Sequence, residues 1–436
     1  MTESKPSRSA IAKALAPRRA ALRLLQAVLD HGEPLDEQFD AAVAKLDARD
    51  RAFVRMLATT TLRRLGQIDA VLKAFLDRPL ARRHGAVKHV LRLAAGQILF
   101  LDTPPHAAAD TSVELTRLLK APGLTGLVNA VARRLAREGQ AVLAEVDPRL
   151  NTPRWMWDSW IATYGEETAR RILAADAEEP PLDITVKGDA AHWAEQLKAE
   201  ILPTGSLRRK EGGLVSQLPG YAEGAWWVQD AAAALPARLL GDVAGLTVID
   251  LCAAPGGKTA QLAAAGATVI AVDRSEARLR RLAENMQRLG LAERVTTVVA
   301  DAAQWRPEAP VDAVLLDAPC TATGTIRRHP DVPRLKKSGD AASLAVTQDA
   351  LLTAAADMLK PGGRLVYCVC SLQPEEGPAR MATAAALPLT PEPIDAAEVG
   401  GLAEAVTPDG TLRTLPFHLG DRGGMDGFFA ARFRKV

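Results

Sequence analysis

The chain has 436 residues, 48% of them apolar, and a net charge of +2. That composition supports two or three cored domains and excludes a disordered or fibrous protein. No apolar run approaches the roughly eighteen residues of a membrane span, and the N-terminus "MTESKPSRSAIAKALAPRR" lacks the apolar core of a secretory signal, so the expected location is the cytoplasm, with no membrane partner.

From Ala10 to about Gly139 the pattern is helical, as in "RRAALRLLQAVLDHG", where Leu22, Leu25 and Leu29 recur at helical spacing. In "GLTGLVNAVARRLAREG" the face Leu124, Leu127, Val128, Val131 and Leu135 leaves Arg133, Arg134 and Arg137 outside it. Residues 51–100 carry ten Lys/Arg against two Asp/Glu. A basic helical face of that kind suits a polyanion such as RNA. Residues 140–235 read as a small mixed α+β domain, whose "PRWMWDSWIATYGEE" carries Trp155, Trp157 and Trp160 on a helix, for core packing more than for base stacking.

From Leu246 the pattern alternates strand and helix: "LTVIDLCAA", "ATVIAVDRS", "VTTVVADAA", "VDAVLLDAP" and "GRLVYCVCS" predict a parallel α/β sheet with both faces covered. Ligands of open parallel sheets bind beyond the carboxyl ends of the strands. Those ends are Asp250, Asp273, Asp301, Asp317 and Cys370. The first loop, "DLCAAPGGKT", ends like a nucleotide-triphosphate P-loop, but Cys252 stands where the first glycine of that motif is needed, and the glycine pattern of a nicotinamide fold is missing. S-adenosyl-L-methionine fits better. Gly256 and Gly257 let the backbone approach its methionine portion, Asp273 is placed for the ribose hydroxyls, and Asp301 for the adenine amino group.

The chain has four cysteines, too few and too unevenly spaced for a disulfide framework. Cys252 and Cys320 have no near cysteine or histidine partner, so a structural zinc site is not expected. No metal is assigned.

The segments "DLCAAPGGKT", "LLDAPCTATG", "VYCVCSLQPEEG" and "GGMDGFFAARF" resemble the signature segments of bacterial RNA (cytosine-5)-methyltransferases. "PPHAAADTSVELTR" and "GLVNAVARRL" resemble the NusB-like RNA-binding domain carried by one branch, the 16S ribosomal RNA enzymes of Sun/Fmu type. The resemblance covers nearly the whole chain. It departs at Val369-Cys370-Ser371, where the family usually has Thr-Cys-Ser, and at "DITVKGD", which replaces Arg-Val-Asn.

The resemblance implies an all-α NusB-like domain over residues 1–139, a linker or RNA-binding domain over 140–235, and a Rossmann-like class I methyltransferase domain over 236–436. It implies RNA, ribosomal RNA in particular, as partner, with no obligate protein partner evident. The implied cofactor-binding set is Cys252, Ala253, Ala254, Pro255, Gly256, Gly257, Lys258, Asp273, Asp301 and Asp317. Carbon 5 of cytosine becomes nucleophilic only after a thiolate adds at carbon 6, and a group at ring N3 stabilises the charge that develops. Asp317 is expected there. Position alone leaves the two thiol roles open. The related DNA enzymes attack with the Pro-Cys cysteine, here Cys320; the RNA family implies Cys370 as nucleophile and Cys320 as the residue aiding release. Cys368 reads as packing, and Lys258 as either orienting Asp317 or capping the glycine loop. Arg327, Arg328 and His329, which follow the catalytic loop, read either as contacts to RNA phosphates or as a solvated basic loop.

Overall fold

A computed structural model describes residues 8–436, with side chains from Leu15 onward. Two units emerge: residues up to Asp158 with Arg328–Lys336, and Ser159–Arg327 with Lys337–Val436.

The helical pattern of the first unit becomes α1 (Arg8–Gln26), α2 (Leu35–Val43), α3 (Ala48–Arg63), α4 (Leu65–Phe75), α5 (Gly85–Phe100), α6 (Pro105–Leu118) and α7 (Thr125–Ala144). Leu22, Leu25, Leu57, Ile68, Val90, Leu115, Val128, Val131 and Leu135 meet in one core. Leu29, at the edge of the face predicted for α1, is only half-buried, because the chain there enters a π-turn that Gly32 closes with φ +71°. Asp47 caps α3 by accepting from Asp50 N at 2.8 Å.

The basic stretch is not a single exposed face. Arg92 is buried and grips Asp69 through Nε and Nη2 at 2.8 and 2.6 Å, while its Nη1 donates to His89 Nδ1 at 3.0 Å. His89 Nε2 then donates to Asp30 at 3.0 Å. Lys73, Arg78, Arg82 and Arg83 are the members of the stretch left exposed. Arg328–Lys336 is part of this unit: Leu35 N donates to Asp331 at 2.9 Å, His329 Nδ1 lies 3.2 Å from Asp36, and Arg334 Nη2 donates to Asn151 O at 2.6 Å.

In the second unit a small antiparallel sheet orders β1 (Leu182–Val186), β2 (Glu200–Ile201), β3 (Leu207–Arg209) and β4 (Trp226–Val228) as β2-β3-β1-β4. The "DITVKGD" segment supplies β1. Its Asp183 is buried in a two-point pair with Arg208, 2.7 Å at each nitrogen. Trp160 and Trp226 are fully buried.

The larger sheet contains β5 (Thr247–Leu251), β6 (Thr268–Asp273), β7 (Val295–Val299), β8 (Val311–Asp317), β9 (Leu359–Val369), β10 (Leu389–Pro391), β11 (Leu412–Arg413) and β12 (Phe429–Lys435). Its order is β10-β12-β9-β8-β5-β6-β7, with β11 pairing β12. The pairs from β7 through β9 are parallel, and β12 enters antiparallel beside β9. Because alternate residues face opposite ways, Val248, Val269, Leu315, Val366 and Cys368 form one core. Ile249, Leu251, Val314, Leu316, Tyr367 and Val369 form the other. The expectation that every strand is covered on both faces fails at the edge: Thr296, Thr297 and Val299 of β7 are exposed, since only one neighbour and one helix screen that strand. No helix among the described residues is long and apolar enough to cross a membrane.

Candidate active site

All five strand ends named from the sequence lie along the carboxyl edge of the parallel strands. Asp250 lies next to the end of β5 and is 1% exposed. Its Oδ2 accepts from Thr259 Oγ1 at 2.6 Å, and burial pushes its carboxyl up to about 7, against the pull of that hydrogen bond. The chain then turns sharply. Cys252 sits at φ +60° and Gly256 at φ +102°, with a cis peptide between Ala254 and Pro255. Gly256 is required on two counts, since a Cβ there would come 2.7 Å from Leu282 Cγ. Ala253 and Ala254 are buried, Pro255 is exposed, and a helix begins at Gly257 (Gly257–Ala264).

Asp273 binds this loop to β6. Its Oδ2 accepts from Ala254 N at 3.2 Å, its Oδ1 from Ser275 N at 2.9 Å, and Arg278 stands 3.4 Å away. Asp301 is exposed, with Oδ1 accepting from Ala303 N at 3.0 Å. Asp317 and Cys368 are register partners on β8 and β9. Asp317 Oδ2 accepts from Lys258 Nζ at 2.7 Å and Oδ1 from Cys368 Sγ at 3.4 Å. Cys368 therefore both packs in the core and touches the site. Burial pulls the Lys258 ammonium down, but Asp317 beside it outweighs burial and leaves its affinity for the proton raised. Lys258 orients Asp317, and its Nζ also lies 5.1 Å from the centre of the Phe428 ring.

Cys320 and Cys370 come together across 50 positions of sequence, with their sulfurs 3.4 Å apart. Cys370 follows β9 directly, and Gly324 N donates to Cys370 O at 3.0 Å. Gly324 in turn abuts the C-terminal segment: Gly427 N donates to Gly324 O at 2.8 Å, and a Cβ on Gly324 would stand 1.9 Å from Gly427 O. The glycines of "TATG" and "MDGFF" thus allow the closeness of these two backbones. The hydrogen bond with Cys370 comes first, and burial second, in pushing the Cys320 thiol well up. Burial likewise pushes Cys368 well up and Cys252 up to about 12.

Sequence reasoning missed Glu376, whose buried carboxylate accepts from Thr321 N, Thr321 Oγ1, Ser371 Oγ and Gln348 Nε2. Neither reading of Arg327, a phosphate contact or a solvated loop, matches its place in the structure. That guanidinium is 2% exposed, donates to Gly423 O at 2.8 Å, and lies 3.6 Å from Asp426 and 3.9 Å from Asp230. Two buried carboxylates hold it away from any RNA phosphate. His329 also deviates, being paired with Asp36.

The group set along this edge is acidic, with Asp250, Asp273 and Asp317, and its two cations are already engaged, Lys258 with Asp317 and Arg278 with Asp273. It suits a cationic sulfonium with ribose hydroxyls and opposes a triphosphate, whose P-loop lysine must be free. Among the described residues no group of three His, Cys, Asp or Glu side chains is arranged to hold a metal ion.

Sheet order, glycine loop and acidic strand ends define a Rossmann-like methyltransferase with a pair of thiols at its reaction edge. Comparison with known proteins gives the family. Residues 237–434 match "16S rRNA methyltransferase RsmB/F", and residues 15–137 match the NusB family. The chain is 36% identical to ribosomal RNA small subunit methyltransferase B of Pseudomonas putida, over 96% of this chain and 98% of that protein. Against the protein of the same name from Vibrio cholerae identity is 36%, over 86% and 90%. NSun6 from Pyrococcus horikoshii, solved with SFG, shares the fold at a TM-score of 0.56 and 22% identity, over 65% of this chain and 98% of that one. The chain belongs to the RsmB/F family of 16S rRNA methyltransferases, joined to a NusB-family domain. It is an S-adenosylmethionine-dependent enzyme with RNA as its partner.

Proposed function

We propose that the enzyme methylates carbon 5 of a cytosine in 16S ribosomal RNA through a covalent adduct, with Cys370 as nucleophile and Cys320 as the thiol that aids release. The observation that carries this reading is the 3.4 Å contact between the two sulfurs at the carboxyl edge of the parallel strands.

The target base is extruded from its stack into the pocket. Cys370 thiolate forms a bond to carbon 6, and the displaced ring electrons make carbon 5 nucleophilic. Ring N3 takes up a proton from water as negative charge gathers there, and Asp317, with Lys258 on its Oδ2, accepts a hydrogen bond from that N3–H. S-adenosylmethionine, when bound, supplies the electrophilic methyl group. Asp273 holds the ribose hydroxyls, the Cys252–Lys258 loop lies along the methionine portion, and Asp301 meets the adenine. The carbon 5 proton then leaves to a base, the carbon 6–sulfur bond breaks, and Cys320 assists the departure of Cys370.

Residues 1–139 hold the RNA, residues 140–235 serve as linker and further RNA-binding segment, and residues 236–436 carry the chemistry, in the cytoplasm where ribosomal RNA is made. A nucleotide-hydrolysing enzyme is disfavoured by the engagement of Lys258 with Asp317, and a non-catalytic antitermination-type RNA binder by the paired thiols. The test is incubation with methyl-labelled S-adenosylmethionine and deproteinised 16S RNA, followed by nucleoside analysis. Label in 5-methylcytidine is expected; label in any other nucleoside overturns the reading.

A further inference from the structure

The sequence "QPEEG" reads as a solvated turn, yet Glu376 is 0% exposed. Every group on its carboxylate is a donor. Thr321 N approaches at 2.8 Å and Gln348 Nε2 at 3.3 Å, and the hydroxyls of Thr321 and Ser371 point at it more closely still. Thr321 is the residue after Cys320, and Ser371 the residue after Cys370.

An ionised Glu376 sets the hydrogen-bond directions around it. Once Ser371 Oγ gives its proton to Glu376, it can only accept, from Gln373 N at 3.0 Å and from Thr323 Oγ1 at 3.2 Å. Thr323 in turn accepts from Leu372 N at 3.0 Å. Tyr367 Oη anchors the backbone of Glu376 by donating to its carbonyl at 2.6 Å. One carboxylate thereby ties the Cys320 loop, which follows β8, to the Cys370 segment, which follows β9. A neutral side chain cannot accept all four donors at once.

We infer that Glu376 is a positioning residue for the reaction, fixing the separation of the two thiols that the adduct cycle uses. The inference rests on the proposed roles of Cys320 and Cys370 for its catalytic meaning. Its geometric content is independent of which thiol attacks. Glu376 acts through its hydrogen bonds with Thr321 and Ser371. A misplacement of about 1 Å between reacting groups can cost on the order of a hundredfold in rate.

The test uses full-length Glu376→Gln, near in shape and able to keep part of the network. Thermal unfolding and calorimetric binding of S-adenosylmethionine first establish that the variant is folded and cofactor-competent. Two rates follow. One is kcat on 16S RNA, with KM for each substrate. The other is the rate at which diamide links Cys320 to Cys370, located by peptide mass spectrometry. In that reaction the thiols lose two protons and two electrons, the sulfur–sulfur bond forms, and diamide is reduced to its hydrazine.

The expected result is a fall in kcat of roughly ten- to a hundredfold, a comparable slowing of the Cys320–Cys370 link, and a KM for S-adenosylmethionine within about twofold of wild type, since Glu376 does not touch its loop. Wild-type kcat in the folded variant overturns the inference, as does a lowered kcat with unchanged cross-linking. If Glu376→Gln does not fold, Thr321→Val removes one hydroxyl arm, keeps the backbone N–H, and is held to the same two rates. Should Cys370→Ala still methylate, the assignment of the thiols fails on its own, while the cross-linking rate continues to report whether Glu376 holds the two segments.

Discussion

Lys258 and Asp317 form an ion pair of 2.7 Å in which the lysine side chain is 9% exposed and the carboxylate 31% exposed. The Lys258 ammonium also lies 5.1 Å from the centre of the Phe428 ring. Lys258→Met removes the cation and leaves Asp317 and Asp250 facing each other. We predict a folded enzyme with kcat lowered on the order of a hundredfold, the scale of losing one preorganised electrostatic group. Single-turnover methylation measures it.

Asp250 gives a pH signature without substrate. Its carboxyl is raised from the ordinary range to about 7, so between about pH 4 and pH 7 the native state binds a proton that the unfolded state has released. Stability from this group is present at low pH and is lost as pH rises through 7. Urea unfolding of Asp250→Asn is predicted to show a flatter pH profile, with the wild-type slope across the window steeper by up to about 1.4 kcal/mol per pH unit.

Asp273 holds the loop through Ala254 N, and the ribose is its proposed second partner. Asp273→Ala is predicted to weaken S-adenosylmethionine binding by about 1–3 kcal/mol, the range for hydrogen bonds to a charged group. Calorimetry with the cofactor or its demethylated product reads this directly, with ATP as the negative control.

Arg327 and the exposed basic residues of the helical unit are predicted to behave oppositely. Arg327→Met leaves Asp230 and Asp426 buried without their shared cation and lowers stability by about 3–5 kcal/mol. Changing Lys73, Arg78, Arg82 and Arg83 together to Gln leaves stability nearly unaltered. It reduces the slope of log affinity for RNA against log salt by about 0.7 for each phosphate that is no longer neutralised. Denaturant titration and RNA binding at several salt concentrations separate the two classes.

The legibility of the chain follows from how local each feature is. The parallel strands are readable because strands covered on both faces are continuous apolar runs, and their ends show as acids in "VIDL", "AVD" and "LLD". The helical unit is readable from its 3.6-residue period. Arg327 and Glu376 are not, because their charges are neutralised by partners far away in sequence: Arg327 by Asp426, and Glu376 by donors on Thr321, 55 positions earlier. Read locally, "TIRRHPDV" and "QPEEG" are charged loops, and charged loops are normally solvated. The resemblance to known enzymes brought Cys320 and Cys370 into one site, whereas their 3.4 Å contact depends on the close backbones at Gly324 and Gly427.

The assignment of the two thiols is tested most directly by what accumulates when each is removed. Full-length Cys370→Ala and Cys320→Ala are each incubated with 16S RNA and S-adenosylmethionine, and protein–RNA adducts that survive denaturing electrophoresis are quantified. The account predicts no adduct and no methylation from Cys370→Ala, because nothing adds to carbon 6, and an accumulating adduct from Cys320→Ala, because addition proceeds while release is impaired. An adduct trapped by Cys370→Ala and none by Cys320→Ala would contradict it and make Cys320 the nucleophile.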